Sequence, residues 1–129
     1  MAPPTNYFGV ITVDDTQEAD RQITVDPDTI ETVPNAHIVF VVINKTAVRR
    51  KVSVPRDQFA KKAGPGNGPD TPIKLVGNFS EHVDAFDVGA IVLHVKDKDD
   101  FSVGNYYKYK YTIEVSGLPP KDPDIGINN

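Results

Sequence analysis

The chain has 129 residues, and its 14 Lys and Arg against 18 Asp and Glu give a formal net charge of −4. This length fits one domain with a single hydrophobic core, so we take residues 1–129 as one domain. The acidic balance disfavours a nucleic-acid partner, which usually selects a basic face. The sequence has no cysteine, and this excludes disulfides, thiol catalysis, Cys-bound zinc and copper held by a thiolate.

The sequence carries neither a membrane-span pattern nor a signal-peptide pattern. No apolar stretch approaches the roughly 18 residues that cross a bilayer, so we predict no transmembrane segment. Residues 1–6 (MAPPTN) lack the basic start and the apolar run of a secretory signal. Arg49, Arg50 and Lys51 form a short basic run, which we interpret as a solvated strand end and not as a nucleic-acid patch.

The first third of the chain predicts short strands separated by polar turns. Apolar residues at period 2 predict strands over residues 7–13 and 22–25. A polar loop, residues 14–20, lies between them. Asp26-Pro27-Asp28 predicts a turn, because proline cannot continue a strand ladder.

Residues 37–44 (HIVFVVIN) form the strongest predicted strand. Their apolar run is continuous, whereas a half-exposed antiparallel strand alternates apolar and polar residues. Two explanations stay open: the strand is central and its outer side is covered, or its outer side meets a partner. The second explanation predicts a homo-oligomer formed through the outer side of the 37–44 strand.

The middle of the chain contains the only predicted helix. Residues 48–54 predict a strand that ends at Pro55. Residues 56–63 (RDQFAKKA) predict two helical turns, opened by Pro55 and stopped by Gly64. The Gly- and Pro-rich residues 64–72 predict a mobile loop. Its prolines argue against a phosphate-binding loop, because they lack amide donors.

An acidic loop follows the predicted strands at residues 73–79 and 90–96. Asp97, Asp99 and Asp100 place three carboxylates within four residues, and calcium prefers oxygen ligands of this kind. The loop lacks the turn glycine and the distal Glu of an EF-hand, so a solvated hairpin turn is the competing interpretation.

The last predicted long strand, residues 106–115, carries a row of tyrosines. Tyr107, Tyr109 and Tyr111 share one face of it. This row either packs in the core or forms a platform for a carbohydrate or peptide, and we favour core packing. Residues 125–127 predict a short edge strand.

Together these patterns predict an all-β, Greek-key β-sandwich of about 7–8 strands with one short helical segment. A hydrolytic site is not predicted. Ser80, His82 and Asp84 alternate along one strand face, and a step of about 7 Å is too wide for a catalytic triad. We therefore predict a domain that is not an enzyme and has no cofactor.

Four stretches, taken in order, resemble the cupredoxin (plastocyanin-like) superfamily. They are the strand and turn at 24–30, the strand at 37–44 with Lys45-Thr46, the strand at 50–54 and the glycine-then-aromatic stretch at 104–109. The resemblance covers about Ile23 to Ile127 and implies a cupredoxin-like sandwich. It also implies a periplasmic or secreted location. The segment 122–125 (DPDI) is similar to the end of some metal-free members.

The resemblance also identifies positions where its members bind copper. A blue-copper site needs a thiolate, two imidazoles and usually a weak axial ligand. The first His position carries Arg50, and the Cys position carries Lys110 or Tyr111, depending on register. The ligand positions match none of the three histidines of the chain, His37, His82 and His94. The resemblance therefore implies a copper-free domain.

Arg50 shares its strand face with Val52 and Val54, which we expect to point inward. A cation near the end of a sandwich needs a carboxylate or carbonyl partner, because burial of an unpaired charge is costly. Either Arg50 pairs with Asp122 or Asp124 and closes the pole where copper would lie, or its side chain reaches into water.

The function expected from the sequence is a non-catalytic, metal-free binding or accessory domain whose partner is an unknown protein or small molecule. A self-associating structural domain is the alternative. An enzyme with an unrecognised site is the third hypothesis.

Overall fold

The computed structural model describes residues 6–64, 69–102 and 104–129. Residues 65–68, part of the predicted loop at 64–72, lie outside these ranges. The strands are, in chain order, β1 (Asn6–Val13), β2 (Ile23–Asp26), β3 (Thr29–Thr32), β4 (His37–Asn44), β5 (Arg50–Ser53), β6 (Ala60–Ala63), β7 (Ile73–Asn78), β8 (Ser80–Val83), β9 (Val88–Val95), β10 (Tyr106–Lys110), β11 (Glu114–Val115) and β12 (Asp124–Asn128). Single 3-10 turns lie at Ala19–Arg21, Arg56–Gln58 and Lys98–Asp100. None of the described segments forms a helix long and apolar enough to cross a membrane.

The strands form three sheets with the orders β2-β1-β4-β9-β7, β3-β12-β10-β6 and β11-β5-β8. The five-stranded sheet is one layer, and the two smaller sheets together form the other. Phe40 of β4 meets Tyr111, just after β10, with ring centres 6.0 Å apart. Parallel pairs join β1 to β4 and β3 to β12, so the chain crosses between layers. The predicted all-β sandwich is confirmed.

The position of β4 at the centre of the five-stranded sheet explains the inward half of the apolar run of residues 37–44. Its inward side chains, Ile38, Phe40 and Val42, are fully buried. Burial of such side chains is the main favourable term in folding. The outward side chains of β4 do not pack on this core.

The predicted helix over residues 56–63 is wrong. Only Arg56–Gln58 turns, as a 3-10 helix, and β6 follows directly. β6 pairs antiparallel with β10, and Lys61 lies opposite Tyr109. Sheet pairing therefore outweighs the local proline and glycine signals that favour a helix.

The predicted strand over residues 106–115 divides into β10 and β11, which belong to different sheets. This division adds one strand to those predicted, and β3, β6 and β8 add three more, so the described residues form twelve strands and not seven or eight. Tyr107, Tyr109 and Tyr111 all lie in the core, so the platform interpretation is wrong. The predicted edge strand at 125–127 is also wrong in position, because β12 lies between β3 and β10.

Candidate functional site

Arg50 begins β5, and only 9% of its surface is exposed. Its guanidinium donates from Nε to Thr46 Oγ1 at 3.1 Å, from Nη1 to Ser116 O at 2.9 Å and from Nη2 to Asp15 Oδ2 at 3.0 Å. One side chain therefore ties together the loop after β1, the turn after β4 and the loop after β11. We call Arg50, Asp15, Thr46 and Ser116 the Arg50 pole.

Asn44 builds the turn that presents Thr46 to the Arg50 pole. Its buried side-chain amide donates from Nδ2 to Val48 O at 2.9 Å, Val83 O at 3.0 Å and Asp84 O at 3.1 Å. Its Oδ1 accepts from Thr46 N at 2.9 Å and from Thr46 Oγ1 at 2.7 Å. The amide thus uses both its donors and its acceptor inside the protein.

Gly117 gives the guanidinium of Arg50 its space. Its φ of +81° is a conformation that side-chain-bearing residues rarely adopt, and an added Cβ would lie 2.9 Å from Arg50 Nη1. Glycine is therefore required at this position both by the backbone and by the contact with Arg50.

A carboxylate partner for Arg50 is confirmed, but the predicted Asp122 or Asp124 is wrong. Asp122 pairs with Lys110, whose Nζ lies 3.5 Å from Oδ2. Asp124 lies opposite Lys110 in the β10–β12 ladder. The actual partner, Asp15, precedes Arg50 by 35 residues in a polar loop. No local pattern in the sequence points to that contact.

The three degenerate copper-ligand positions do not come together. Arg50 lies in the β11-β5-β8 sheet, and its neighbour on the later strand segment is Ser116. Lys110 ends β10 with its ammonium half-exposed. Tyr111 is buried, and its ring stacks on Phe59 at a centre-to-centre distance of 5.5 Å. The pole therefore brings Ser116, and not Lys110 or Tyr111, to Arg50.

A second candidate site is the outward side of the five-stranded sheet, where the strand register aligns side chains in rows. Four rows cross β1, β4 and β9: Asn6–His37–His94, Phe8–Val39–Val92, Val10–Val41–Ala90 and Thr12–Ile43–Val88. We call these outward residues of β1, β4 and β9 the outer face. Its two central rows contain only apolar side chains.

The outer face is accessible to solvent. Phe8 is 63% exposed and Val88 is 61% exposed, while Val10 and Val41 at the centre are also exposed. The explanation that the outer side of the 37–44 strand is covered is therefore wrong. A contiguous exposed apolar surface of this kind commonly marks an interaction site.

No family model and no curated protein matches the sequence. Among solved structures, McoA, a multicopper oxidase from the hyperthermophile Aquifex aeolicus, matches with a TM-score of 0.51 at 10% identity, over 98% of this chain and 30% of its own. Fet3p, a multicopper oxidase that functions in iron import, matches with a TM-score of 0.46 at 8% identity, over 99% of this chain and 28% of its own. Auracyanin B matches with a TM-score of 0.43 at 8% identity, over 100% of this chain and 93% of its own.

The fold is cupredoxin-like. This agrees with the resemblance drawn from the sequence, and at such low identity the likeness defines the fold alone. The chain spans less than a third of the length of the two multicopper oxidases.

The residues of this cupredoxin-like domain do not fit a blue-copper centre. The sequence offers no thiolate, which such a centre requires. The group at the pole is a guanidinium, which stays charged, has no acceptor atom and repels a cation. Its donors are already directed to Thr46, Ser116 and Asp15.

The acidic loop of the domain forms an exposed turn after β9. Asp97 pairs with Lys74, whose Nζ lies 2.9 Å from Oδ1. Asp99 and Asp100 lie in the 3-10 turn and point into solvent. Within the described ranges, no three His, Cys, Asp or Glu side chains converge as a metal-binding group. The exposed turn with its Asp97–Lys74 pair favours the interpretation as a solvated turn over the calcium site.

Tyr111 provides a test of the core beside β10. It is 1% exposed, and its hydroxyl has no hydrogen-bond partner among the residues that the structure describes. Burial, with Asp28 and Asp124 nearby, raises its pKa. Tyr111→Phe should raise the free energy of unfolding by about 1 kcal/mol, because it removes an unsatisfied buried hydroxyl and keeps the ring. Urea denaturation measures the change.

Tyr109 is the matched control for this substitution. Its hydroxyl donates to Pro69 O at 2.6 Å, and burial raises its pKa to about 12. Tyr109→Phe should therefore lower the free energy of unfolding by about 1 kcal/mol. Destabilisation by Tyr111→Phe as large as that by Tyr109→Phe would contradict the unsatisfied state of the Tyr111 hydroxyl.

Proposed function

We propose that this chain is a non-catalytic interaction domain that self-associates, with a second copy of the chain seated on the outer face. The observation that carries the proposal is the exposed apolar surface of β1, β4 and β9. The Arg50 pole supports the non-catalytic part, because an internally bonded guanidinium occupies the position where copper-binding members of the resembled superfamily carry their first histidine ligand. Fold resemblance is the ground for including a periplasmic or secreted location in the proposal.

The chemistry of the outer face favours a second copy over a charged partner. Its central rows carry no charge, so a flat apolar surface is their natural complement. Charged groups lie at the lateral edges of the sheet, Asp26 on β2 and Lys74 on β7. A two-fold axis parallel to the strands sets the Asp26 edge of one copy against the Lys74 edge of the other, although Asp97 already offsets part of the charge of Lys74. Sheets packed face to face in this way are a common arrangement.

The size of the face predicts a weak dimer. The interface would take in the outer face and the flanking strands β2 and β7, and these five strands, about 4.8 Å apart and at most eight residues long, span roughly 600 Å². A standard stable interface buries about 800 Å² on each partner. The face falls just short of that area, so we expect a dissociation constant on the order of 100 μM and a concentration-dependent dimer.

Val41→Lys is the direct test, because Val41 lies at the centre of the outer face. It puts an ammonium from each copy into the buried middle of the interface, where an unpaired charge is strongly disfavoured. The wild-type chain should pass from monomer to dimer in sedimentation velocity between about 10 μM and 1 mM. The variant should remain a monomer throughout.

Val48→Lys is the matched control. Val48 is also an exposed valine, but it lies in the connection between β4 and β5. The control should dimerise like the wild type, and circular dichroism should give native spectra for both variants. A wild-type chain that stays monomeric at every concentration, as a domain for a different partner would, contradicts self-association. An unchanged dimer in Val41→Lys contradicts the assignment of the face.

A further inference from the structure

Two of the three histidines of the chain meet on the surface of the five-stranded sheet. His37 of β4 and His94 of β9 are direct cross-strand partners, and both side chains point outward. Their ring centres lie 4.3 Å apart with an interplanar angle of 60°. Neighbouring residues Ile38 and Leu93 are fixed in the core below, so the backbone of regular strands holds the pair in place.

The distance between the rings suits two ligands of one metal ion. Metal–imidazole bonds of about 2 Å hold two coordinated rings with their centres about 5 Å apart. The rings of His37 and His94 need to separate by less than an ångström to reach that geometry, and both lie on a half-exposed surface. Rotation about the side-chain torsions is enough for this movement.

The surroundings keep the imidazoles available. The side chains of His37 and His94 are both partly exposed to solvent, so an ion can reach them. Gly77 lies beside His94, where an added Cβ would come 3.2 Å from the ring. Asn6 lies beside His37 in the β1–β4 register and adds an amide oxygen to this row.

One charged group opposes cation binding at the pair. Lys74 lies near His94, but its Nζ is 2.9 Å from Asp97 Oδ1 and 3.4 Å from Asn35 Oδ1. The Asp97 carboxylate offsets the charge of the ammonium. Because the protein supplies only two nitrogen ligands and a lysine lies nearby, we expect a moderate affinity for the ion. Water molecules would complete its coordination shell.

We propose that His37 and His94 form a two-imidazole site for a divalent transition-metal cation of the Zn²⁺, Ni²⁺ and Cu²⁺ class. Imidazole nitrogen suits these ions, whereas Mg²⁺ and Ca²⁺ prefer oxygen ligands. The site is separate from the Arg50 pole, because His37 begins β4 and the Asn44 turn ends it, about 23 Å further along the strand. It lies in an end row of the outer face, so it is titrated at about 20 μM, where we expect the chain to be monomeric.

Nickel titration of the full chain tests the site. Calorimetry should give one Ni²⁺ per chain and no heat with Mg²⁺ under the same conditions. In ¹⁵N-correlated NMR spectra, paramagnetic Ni²⁺ should broaden amide signals at the start of β4 and the end of β9. His37→Gln and His94→Gln should each weaken binding by about tenfold or more, because the second imidazole acts as an intramolecular ligand.

His82→Gln is the matched control, since His82 lies on β8 in another sheet. It should bind Ni²⁺ with wild-type affinity. The proposal is overturned if the wild type binds no Ni²⁺, if broadening centres on His82, or if both His37→Gln and His94→Gln retain wild-type affinity.

Discussion

Arg50→Met should lower the free energy of unfolding by about 2–3 kcal/mol, as measured by urea denaturation. The substitution keeps most of the apolar length of the side chain and removes the guanidinium. Hydrogen bonds to Asp15, Thr46 and Ser116 are lost together. Because the Asp15 side chain is 41% exposed, water can solvate its freed carboxylate, and the ion pair contributes less than a fully buried one.

Arg50→Lys should recover little of this loss. A single ammonium on a flexible chain does not reproduce the planar fork that reaches three acceptors from three segments. The matched control is Arg49→Met, because Arg49 is the neighbouring arginine and pairs with Asp84 at 3.3 Å on the exposed surface. An exposed pair of this kind contributes less than about 1 kcal/mol. Equal destabilisation by Arg50→Met and Arg49→Met would show that the Arg50 pole does not hold its three segments.

Asn44→Ala should have a larger effect, a loss of about 3–4 kcal/mol in the free energy of unfolding. It leaves the carbonyls of Val83 and Asp84 and the amide of Thr46 without their side-chain partner, and Val48 O keeps only the bond from Thr46 Oγ1. These groups lie in or at the edge of the core, where an unsatisfied polar group is costly.

The control for Asn44 is the exposed asparagine at the end of β7. Asn78 donates to Glu81 Oε2 at 3.2 Å and to Ala90 O at 3.1 Å near the surface. Water can replace both bonds, so Asn78→Ala should cost less than about 1 kcal/mol. A thermal or urea midpoint for Asn44→Ala that equals the midpoint for Asn78→Ala would contradict the structural role assigned to the Asn44 turn.

The effects of Arg50→Met and Asn44→Ala on the free energy of unfolding should also be coupled. Thr46 Oγ1 donates to Asn44 Oδ1 and accepts from Arg50 Nε, so loss of either partner loosens the hydroxyl that the other uses. The double variant should therefore be less destabilised than the sum of the single effects, as expected for neighbours in one network.

The strands with a clear pattern of burial could be predicted from the sequence. β1 and β9 bury alternate residues over their last five positions, and this period is visible in the sequence, whereas β4 is indicated by its continuous apolar run. The inward position of Arg50 and its need for an anion followed from strand parity and from the cost of an unpaired buried charge.

Other features depend on contacts between distant segments and could not be predicted. The row of alternate aromatic and apolar residues, Tyr109, Tyr111 and Ile113, continues in the sequence across the point where the chain leaves one sheet for another. Period alone therefore predicts one strand there. The sequence of residues 60–63 does not itself predict a strand. These residues form β6 because they pair antiparallel with the edge of β10. Likewise, the pairing of His37 with His94 is set by the β4–β9 register.

The outer face and the Arg50 pole differ in how far the sequence predicts them. The apolar run of residues 37–44 had two explanations in the sequence, one of which was a partner on its outer side. The exposed rows of the outer face are consistent with that explanation. The resemblance drew attention to Arg50, Lys110 and Tyr111 together, whereas only Arg50 lies at the pole. A strand register assigned from weak motifs slips easily, because the tyrosine strand has the same period throughout.

The most direct measurement of the proposed self-association is a dilution series of ¹⁵N-correlated NMR spectra on the wild-type chain. As the concentration rises from about 20 μM to 1 mM, amide signals of β1, β4 and β9 should shift together along one binding curve. Signals from β5 and β11, around the Arg50 pole, should stay fixed over the same range. Spectra that do not change with concentration, or shifts confined to the Arg50 pole, would contradict an interaction domain that uses the outer face.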